Sequence, residues 1–215
     1  HYKYSDLGMI LMKELIERVT KTTFQQYVSE VFYTPMGIDR LTFLPLDKFK
    51  SDEIVPTSIS PDMRKGLVQG MVHDPAAAML GGVSGHAGLF GNAESLASLM
   101  QMLLNGGEYK NVQYLKPETI NAFTAKQSAN SRRGMGWDKP EMDKNRANPA
   151  CDYASEETFG HSGFTGTIVW ADPKYDLIYV FLSNRVYPTQ ENRKLIEMGV
   201  RKNIMNAVYE SFLFP

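Results

Sequence analysis

Apolar residues recur at helical spacing from the start of the chain. Leu7, Ile10, Leu11, Leu15 and Val19 follow the three-to-four-residue rhythm of one helix face. Ser5 or Asp6 stands directly ahead and can cap that helix, because a short oxygen side chain accepts an exposed N–H. A second helix is expected after Thr22 or Thr23, with Phe24, Val28, Val31 and Phe32 on its buried side and Pro35 and Gly37 ending it. From 41 to 70 the rhythm lapses. Prolines at 45, 56 and 61, with another at 75, argue against long regular elements. The small-residue run from Ala76 to Gly85 predicts tight turns or close backbone approach. Asn92 then caps a third helix with Leu96, Leu99, Met100, Leu103 and Leu104 facing a core, and Asn105-Gly106-Gly107 stops it. Lys116-Pro117-Glu118 opens a short fourth helix.

The pattern changes near residue 134. Residues 139–157 are polar and read as a loop. Gly166 to Ala171 and Leu177 to Leu182 are β-rich runs joined by the turn residues Asp172-Pro173-Lys174-Tyr175-Asp176, which predicts an antiparallel hairpin. The second run is apolar on both faces and is expected to be covered by helices. Ile196, Val200, Ile204 and Val208 lie four apart and form the stripe of a terminal helix. The expected architecture is α+β, in one domain over 1–215: a mainly helical part (1–133), then an antiparallel sheet with a C-terminal helix (134–215).

Composition narrows the partners. The chain has 215 residues with 23 basic and 24 acidic side chains, so nothing marks a nucleic-acid partner or a basic membrane-binding face. One cysteine, Cys151, rules out an internal disulfide. No window reaches the ~18 apolar residues of a spanning helix, and no signal peptide is visible. The first residue is His1 rather than Met, so a fragment or processed product is expected. No helical zinc pair, Cys cluster, phosphate loop or G-x-S-x-G elbow is present. His73, His86 and His161 lack metal-ligand spacing, and no cofactor is expected.

Three clusters carry candidate chemistry. They are Tyr4-Ser5-Asp6 ahead of the first helix, His73-Asp74 with Gly81 to Phe90, and His161-Ser162-Gly163-Phe164-Thr165-Gly166-Thr167 opening a strand. Each alone reads as a cap, a turned scaffold or a strand edge. Their order is more specific. Together with Thr34-Pro35-Met36-Gly37-Ile38, Gly136-Trp137, Trp170-Ala171-Asp172-Pro173 and Phe181 to Arg185, the chain resembles the serine β-lactamase, penicillin-binding protein and DD-peptidase superfamily (class C-like), over its C-terminal portion. In detail it resembles the β-lactamase-related domain that bacteria fuse to family 3 glycoside hydrolases.

The resemblance implies a truncated β-lactamase/transpeptidase-like fold and an acyl-enzyme mechanism on peptide, amide or ester bonds. It places Tyr4 and Asp6 at the family's Y-x-N element and His161 at its Lys-Thr-Gly or His-x-Gly element, lining one cleft. Tyr4 would manage the nucleophile's proton, for which a phenol of pKa ~10 needs cationic neighbours. His161 would orient substrate or relay a proton. The Phe164 N–H after Gly163 would help hold the oxyanion. Two departures, Asp6 for Asn and His161 for Lys, favour an esterase or peptidase-like hydrolase over an efficient β-lactamase. No serine has a lysine three residues later, so the S-x-x-K nucleophile is not in this chain. The fragment is therefore expected to be inactive alone and to expose apolar edges that self-associate or met an upstream piece. The alternative is a pseudoenzyme, a non-catalytic binding or assembly module beside a glycoside hydrolase. Peptidoglycan-like or small-molecule substrates and an extracytoplasmic location follow from the family alone.

Overall fold

The computed structural model describes residues 3–60 and 66–214. In chain order the elements are α1 (Leu7–Thr20), α2 (Phe24–Val28), a wide helical turn at Ser29–Tyr33, α3 (Thr34–Met36), single tight turns at Pro45–Asp47 and Ser51–Glu53, β1 (Pro56–Ser60), β2 (Gly66–Gln69), α4 (Pro75–Met79), α5 (Ala93–Leu104), β3 (Glu108–Tyr109), β4 (Val112–Gln113), α6 (Pro117–Thr124), β5 (Phe159–Ser162), β6 (Ile168–Asp172), β7 (Leu177–Phe181), α7 (Lys194–Glu197) and α8 (Val200–Leu213). The chain divides into two compact units: Leu96–Ser183 with 192–214, and Lys3–Ser95 with Asn184–Glu191.

The first unit is built on the antiparallel sheet β5-β6-β7. Gly160 lies opposite Trp170, His161 opposite Val169, and Trp170 opposite Tyr179. Strand alternation sends successive side chains to opposite faces. Ile168, Trp170 and Tyr179 pack with Met205 and Tyr209 of α8 and with Ala150, Cys151 and Ala154 of the long loop. Phe159 and Ala171 pack on the other face with Met100, Leu103 and Leu104 of α5, joined by Val169 and Ile178. Helices therefore cover both faces, as the two-sided apolar run at 177–182 implies. Burial of Phe159, Met100 and Met205 contributes about 1.5–3 kcal/mol each.

The terminal helix differs from its expected stripe. Gly199, with φ 60°, separates α7 from α8, and Ile196 and Ile204 remain 43% and 42% exposed. Met205 and Tyr209 supply the buried face, and of the expected stripe Val208 packs beside them.

Asp172 is the polar centre of this unit. It is a turn residue in the sequence, yet it is 1% exposed. Its carboxylate accepts from the Tyr209 hydroxyl (2.6 Å), the Ser155 hydroxyl (2.6 Å) and N–H (2.9 Å), and the Lys174 N–H (3.1 Å). Burial opposes its charge, but the bonds from Ser155 and Tyr209 outweigh burial and hold its pKa below the ordinary value. Burial first, and then Asp172, push the Tyr209 phenol upward.

In the second unit, α1 forms where expected, but its apolar stripe faces outward. Leu7, Leu11, Leu15 and Val19 are 69%, 68%, 51% and 73% exposed. The inward positions are half-buried Ile10, Lys13, Ile16 and Glu17. Glu17 fixes the α1–α2 corner by pairing with Lys13 (2.8 Å) and accepting the Phe24 N–H (2.7 Å). Thr23 caps α2 by accepting the Gln26 N–H (3.4 Å). Pro35 does not end the helical run. It follows directly on the wide turn at Ser29–Tyr33 inside a continuous helical run, and Gly37, at φ 73°, makes the stop. Nor is the stretch 41–70 wholly irregular. β1 and β2 pair there, with Pro56 at the start of its strand, where a missing donor is tolerated. Asn184 donates to the Pro56 carbonyl (2.8 Å), and the Ile59 N–H reaches the Pro188 carbonyl (3.2 Å). Ala76–Ala78, expected in turns, lie in α4, and the left-handed glycines Gly81 and Gly82 follow it.

Tyr209→Phe should cost about 1–3 kcal/mol in urea unfolding, the range for a hydrogen bond to a buried charge. The Asp172 contribution is present above the ordinary carboxylate pKa of about 3.9 and is lost as pH falls through its depressed folded value. Asp172→Asn should therefore lower stability at neutral pH and flatten the acid limb of stability against pH.

Candidate active site

The candidate site in the first unit grows from the end of β5. His161 is the third residue of that four-residue strand rather than its opening residue, and Ser162 closes it. Gly160 beneath it has no room for a side chain: a Cβ would stand 2.1 Å from the Val169 carbonyl oxygen and 2.6 Å from the Trp170 ring. The chain then turns. The Gly163 N–H donates to the Thr167 carbonyl (2.8 Å) and the Gly166 N–H to the Gly163 carbonyl (3.0 Å). A Cβ on Gly163 would meet the Thr167 hydroxyl oxygen at 2.5 Å, so any side chain there would force Thr167 aside. Arg201 of α8 donates to the Gly166 carbonyl (3.3 Å) and holds the turn from below. Phe164, at its tip, is 62% exposed.

His161 is half-buried, with both ring nitrogens engaged. Nδ1 lies 2.9 Å from the Ser162 carbonyl oxygen, and Nε2 lies 3.0 Å from an Arg133 guanidinium nitrogen. Burial, and then the Arg133 charge, lower its pKa. Arg133 also pairs with Asp138 (3.1 Å), as does Arg132 (2.8 Å). Asp138 is 2% exposed, and its backbone is bridged to β5: its N–H donates to the Gly160 carbonyl (2.8 Å) and its carbonyl accepts the Gly160 N–H (3.0 Å). Next to it, Lys139 is 8% exposed and donates to the Glu157 and Thr158 carbonyls (3.3 and 3.2 Å). Burial lowers its pKa.

The second unit carries the other sequence candidates. Tyr4 is 51% exposed on the irregular segment before α1. Asp6 occupies the N-cap position but makes no side-chain cap. Its φ and ψ are already helical, and its carbonyl accepts the Met9 and Ile10 N–H groups at 3.0 Å. Ser5 instead accepts the Leu7 N–H (3.3 Å). The glycine-rich cluster bears on this helix. Gly85 presses so close to α1 that a Cβ would stand 2.1 Å from the Met9 carbonyl oxygen. Beside it, the buried His86 bridges Ser84 (2.9 Å, to Nδ1) and Asp74 (2.7 Å, from Nε2). Asp74 also caps α4 through the Ala77 N–H (2.7 Å). Ser84 is 2% exposed, so this Ser-His-Asp chain ties a turn to a helix start instead of offering a nucleophile to substrate.

Sequence reasoning singled out Tyr4, Asp6, His161, Gly163 and Phe164. Arg132, Arg133, Asp138 and Lys139 were missed. Their sequence signal is two basic residues ahead of Gly136-Trp137 and an Asp-Lys pair behind it, which reads as an ordinary solvated loop. Only strand pairing brings them to His161.

The profile of the family described as Beta-lactamase matches residues 1–198. The chain belongs to the beta-lactamase family. It is 36% identical over 212 residues to a protein of Escherichia coli (strain K12) named "Putative D-alanyl-D-alanine carboxypeptidase", covering 91% of this chain and 49% of that protein. It is 32% identical over 229 residues to the "N-acetylmuramyl-L-alanine amidase" of Bacillus subtilis (strain 168), covering 97% and 52%. The chain thus spans about half the length of the curated relatives it matches. Among solved structures, a beta-lactamase from Mycobacterium bovis superposes with a TM-score of 0.64 at 19% identity, over 97% of this chain and 63% of that one. Simvastatin synthase from Aspergillus terreus gives 0.62 at 16%, over 94% and 54%. Those two likenesses show the fold: helices with an antiparallel sheet, as the α+β reading expects. Among the described residues no helix is long and apolar enough to cross a membrane.

His86→Ala in this beta-lactamase family chain should cost about 1–3 kcal/mol, since it strands the buried Ser84 hydroxyl and frees the turn from α4. Chemical denaturation measures the loss, and amide exchange should show α1 opening more readily than β6.

Proposed function

We propose that this chain is the C-terminal portion of a serine acyl hydrolase that acts, through an acyl-enzyme, on peptide, amide or ester bonds of peptidoglycan-like substrates outside the cytoplasm. The observation that carries this reading is the end of β5. A histidine is held there by an arginine, directly before a glycine-closed turn that ends in an exposed residue. The curated relatives carry names of carboxypeptidase and amidase activity, which supports the substrate class.

In this reading the nucleophile is the serine of an S-x-x-K element upstream of His1. Tyr4 takes and returns its proton. Asp6 pairs with the lysine of that element and sets the field at the phenol. His161 orients the acyl substrate. Gly163 lets the substrate approach the strand, and the Phe164 N–H holds the oxyanion, a donor worth roughly 3 kcal/mol in the transition state. The departure of Asp6 and His161 from Asn and Lys directs the site toward ester or peptide substrates rather than efficient β-lactam turnover. The second reading is a non-catalytic binding module joined to a glycoside hydrolase. It is favoured by the departure of Asp6 and His161 from the family's usual Asn and Lys.

A fluorophosphonate probe separates the two. Protein that includes the upstream residues should be labelled at one serine, while the 215-residue chain alone stays unlabelled. Tyr4→Phe in the longer protein should slow acylation by about 10²–10⁴-fold, the usual worth of a general acid–base group. Labelling of the short chain at one of its own serines, or an inert longer protein, rejects the hydrolase reading.

A further inference from the structure

The geometry points to Arg133, braced by Asp138, as the positioning residue that fixes His161 as a neutral imidazole protonated at Nδ1, so that the permanent positive charge at the end of β5 belongs to the guanidinium.

The donor inventory dictates the tautomer. A guanidinium has five N–H donors and no acceptor, so the ring nitrogen 3.0 Å from Arg133 has to be the lone-pair nitrogen. A carbonyl oxygen only accepts, so the ring nitrogen 2.9 Å from the Ser162 carbonyl has to carry the proton. Both conditions hold together only in the neutral Nδ1–H form. A second proton, on Nε2, would point an N–H at another N–H of a cation. The downward pKa of His161, from burial and then from Arg133, agrees in direction.

Arg133 is itself held. Asp138 takes one of its guanidinium nitrogens at 3.1 Å. The same carboxylate accepts from Arg132 (2.8 and 2.9 Å) and from the Lys139 N–H (2.9 Å). Because the Asp138 backbone is bridged to Gly160, carboxylate, guanidinium and imidazole are all referenced to one strand. The resemblance leaves His161 two roles, orienting substrate or relaying a proton; an imidazole engaged on both nitrogens is suited to the first, with the charge on Arg133.

The inference rests on the proposed hydrolase reading for its importance in catalysis, though the tautomer can be read without activity. Long-range proton–nitrogen correlation spectra of ¹⁵N-histidine-labelled protein report which nitrogen is protonated. In the wild type, His161 should show a protonated Nδ1 and a bare Nε2 at neutral pH. Arg133→Met should move Nε2 toward the protonated region, and Arg133→Lys, which keeps a charged donor, should restore most of the wild-type pattern. Asp138→Asn should give an intermediate spectrum; if it unfolds, the Met and Lys pair still decides. An imidazolium or an Nε2–H tautomer in the wild type overturns the inference, as does an Arg133→Met spectrum unchanged from wild type. If the spectra behave as stated while the longer protein resists the fluorophosphonate probe, the hydrolase reading fails and the positioning of His161 stands.

Discussion

Two buried carboxylates organise the sheet unit. Removing a charge from water costs several kcal/mol unless partners replace the water. Asp138 and Asp172 are 2% and 1% exposed, and each is surrounded by donors. Asp172, at the end of β6, draws in Ser155 from the long loop and Tyr209 from α8, so the loop, the sheet and the terminal helix share one anchor. Asp138, bridged to β5, draws in Arg132 and Arg133. The first anion holds the fold and the second shapes the candidate site. Neither can be left half-satisfied, because a low-dielectric interior makes an unmet charge far more costly than in water.

Much of the fold was legible where local chemistry and tertiary packing agree. Asn92 accepts the Ser95 N–H at 2.9 Å, as a cap should, and Gly106 and Gly107 stop α5 with positive φ. The β6–β7 hairpin was legible from two β-rich runs around a proline turn. Legibility failed where one pattern served two purposes. The stripe on α1 looks like a core face, yet it points outward. Asp172 looks like a turn residue because it stands before Pro173, and nothing local announces its burial. The β1–β2 pair hides behind prolines, because Pro56 sits where a strand does not need its donor.

The candidate site was legible in part for a related reason. His161 and Gly163 lie in one short segment, so a motif can name them. Arg133 stands 28 residues away and reaches the imidazole only because the Asp138 segment pairs with β5. Sequence order carries no trace of that pairing. In the second unit the position of Tyr4 depends on α1, and α1 is seated against the Gly85 turn by a contact too close for any side chain. Ser84, His86 and Asp74 are polar residues in a pattern that suggests catalysis, but the burial of Ser84 makes them a brace. The same three residue types serve as catalyst or as strut according to whether a substrate can reach the hydroxyl.

In the proposed hydrolase, a histidine at position 161 in place of the family's lysine amounts to a relocation of charge. A lysine brings its cation on a flexible stem, and that cation can lose its proton when buried. An imidazole whose lone pair receives a guanidinium brings almost no charge at neutral pH, but it fixes the plane and distance of the group that does. The guanidinium stays charged at any working pH and offers donors in a rigid fork. With Asp138 on one side and His161 on another, its orientation is set before any substrate arrives, so less ordering entropy remains to be lost on binding. An anion met by such a group is recognised by direction as well as by sign.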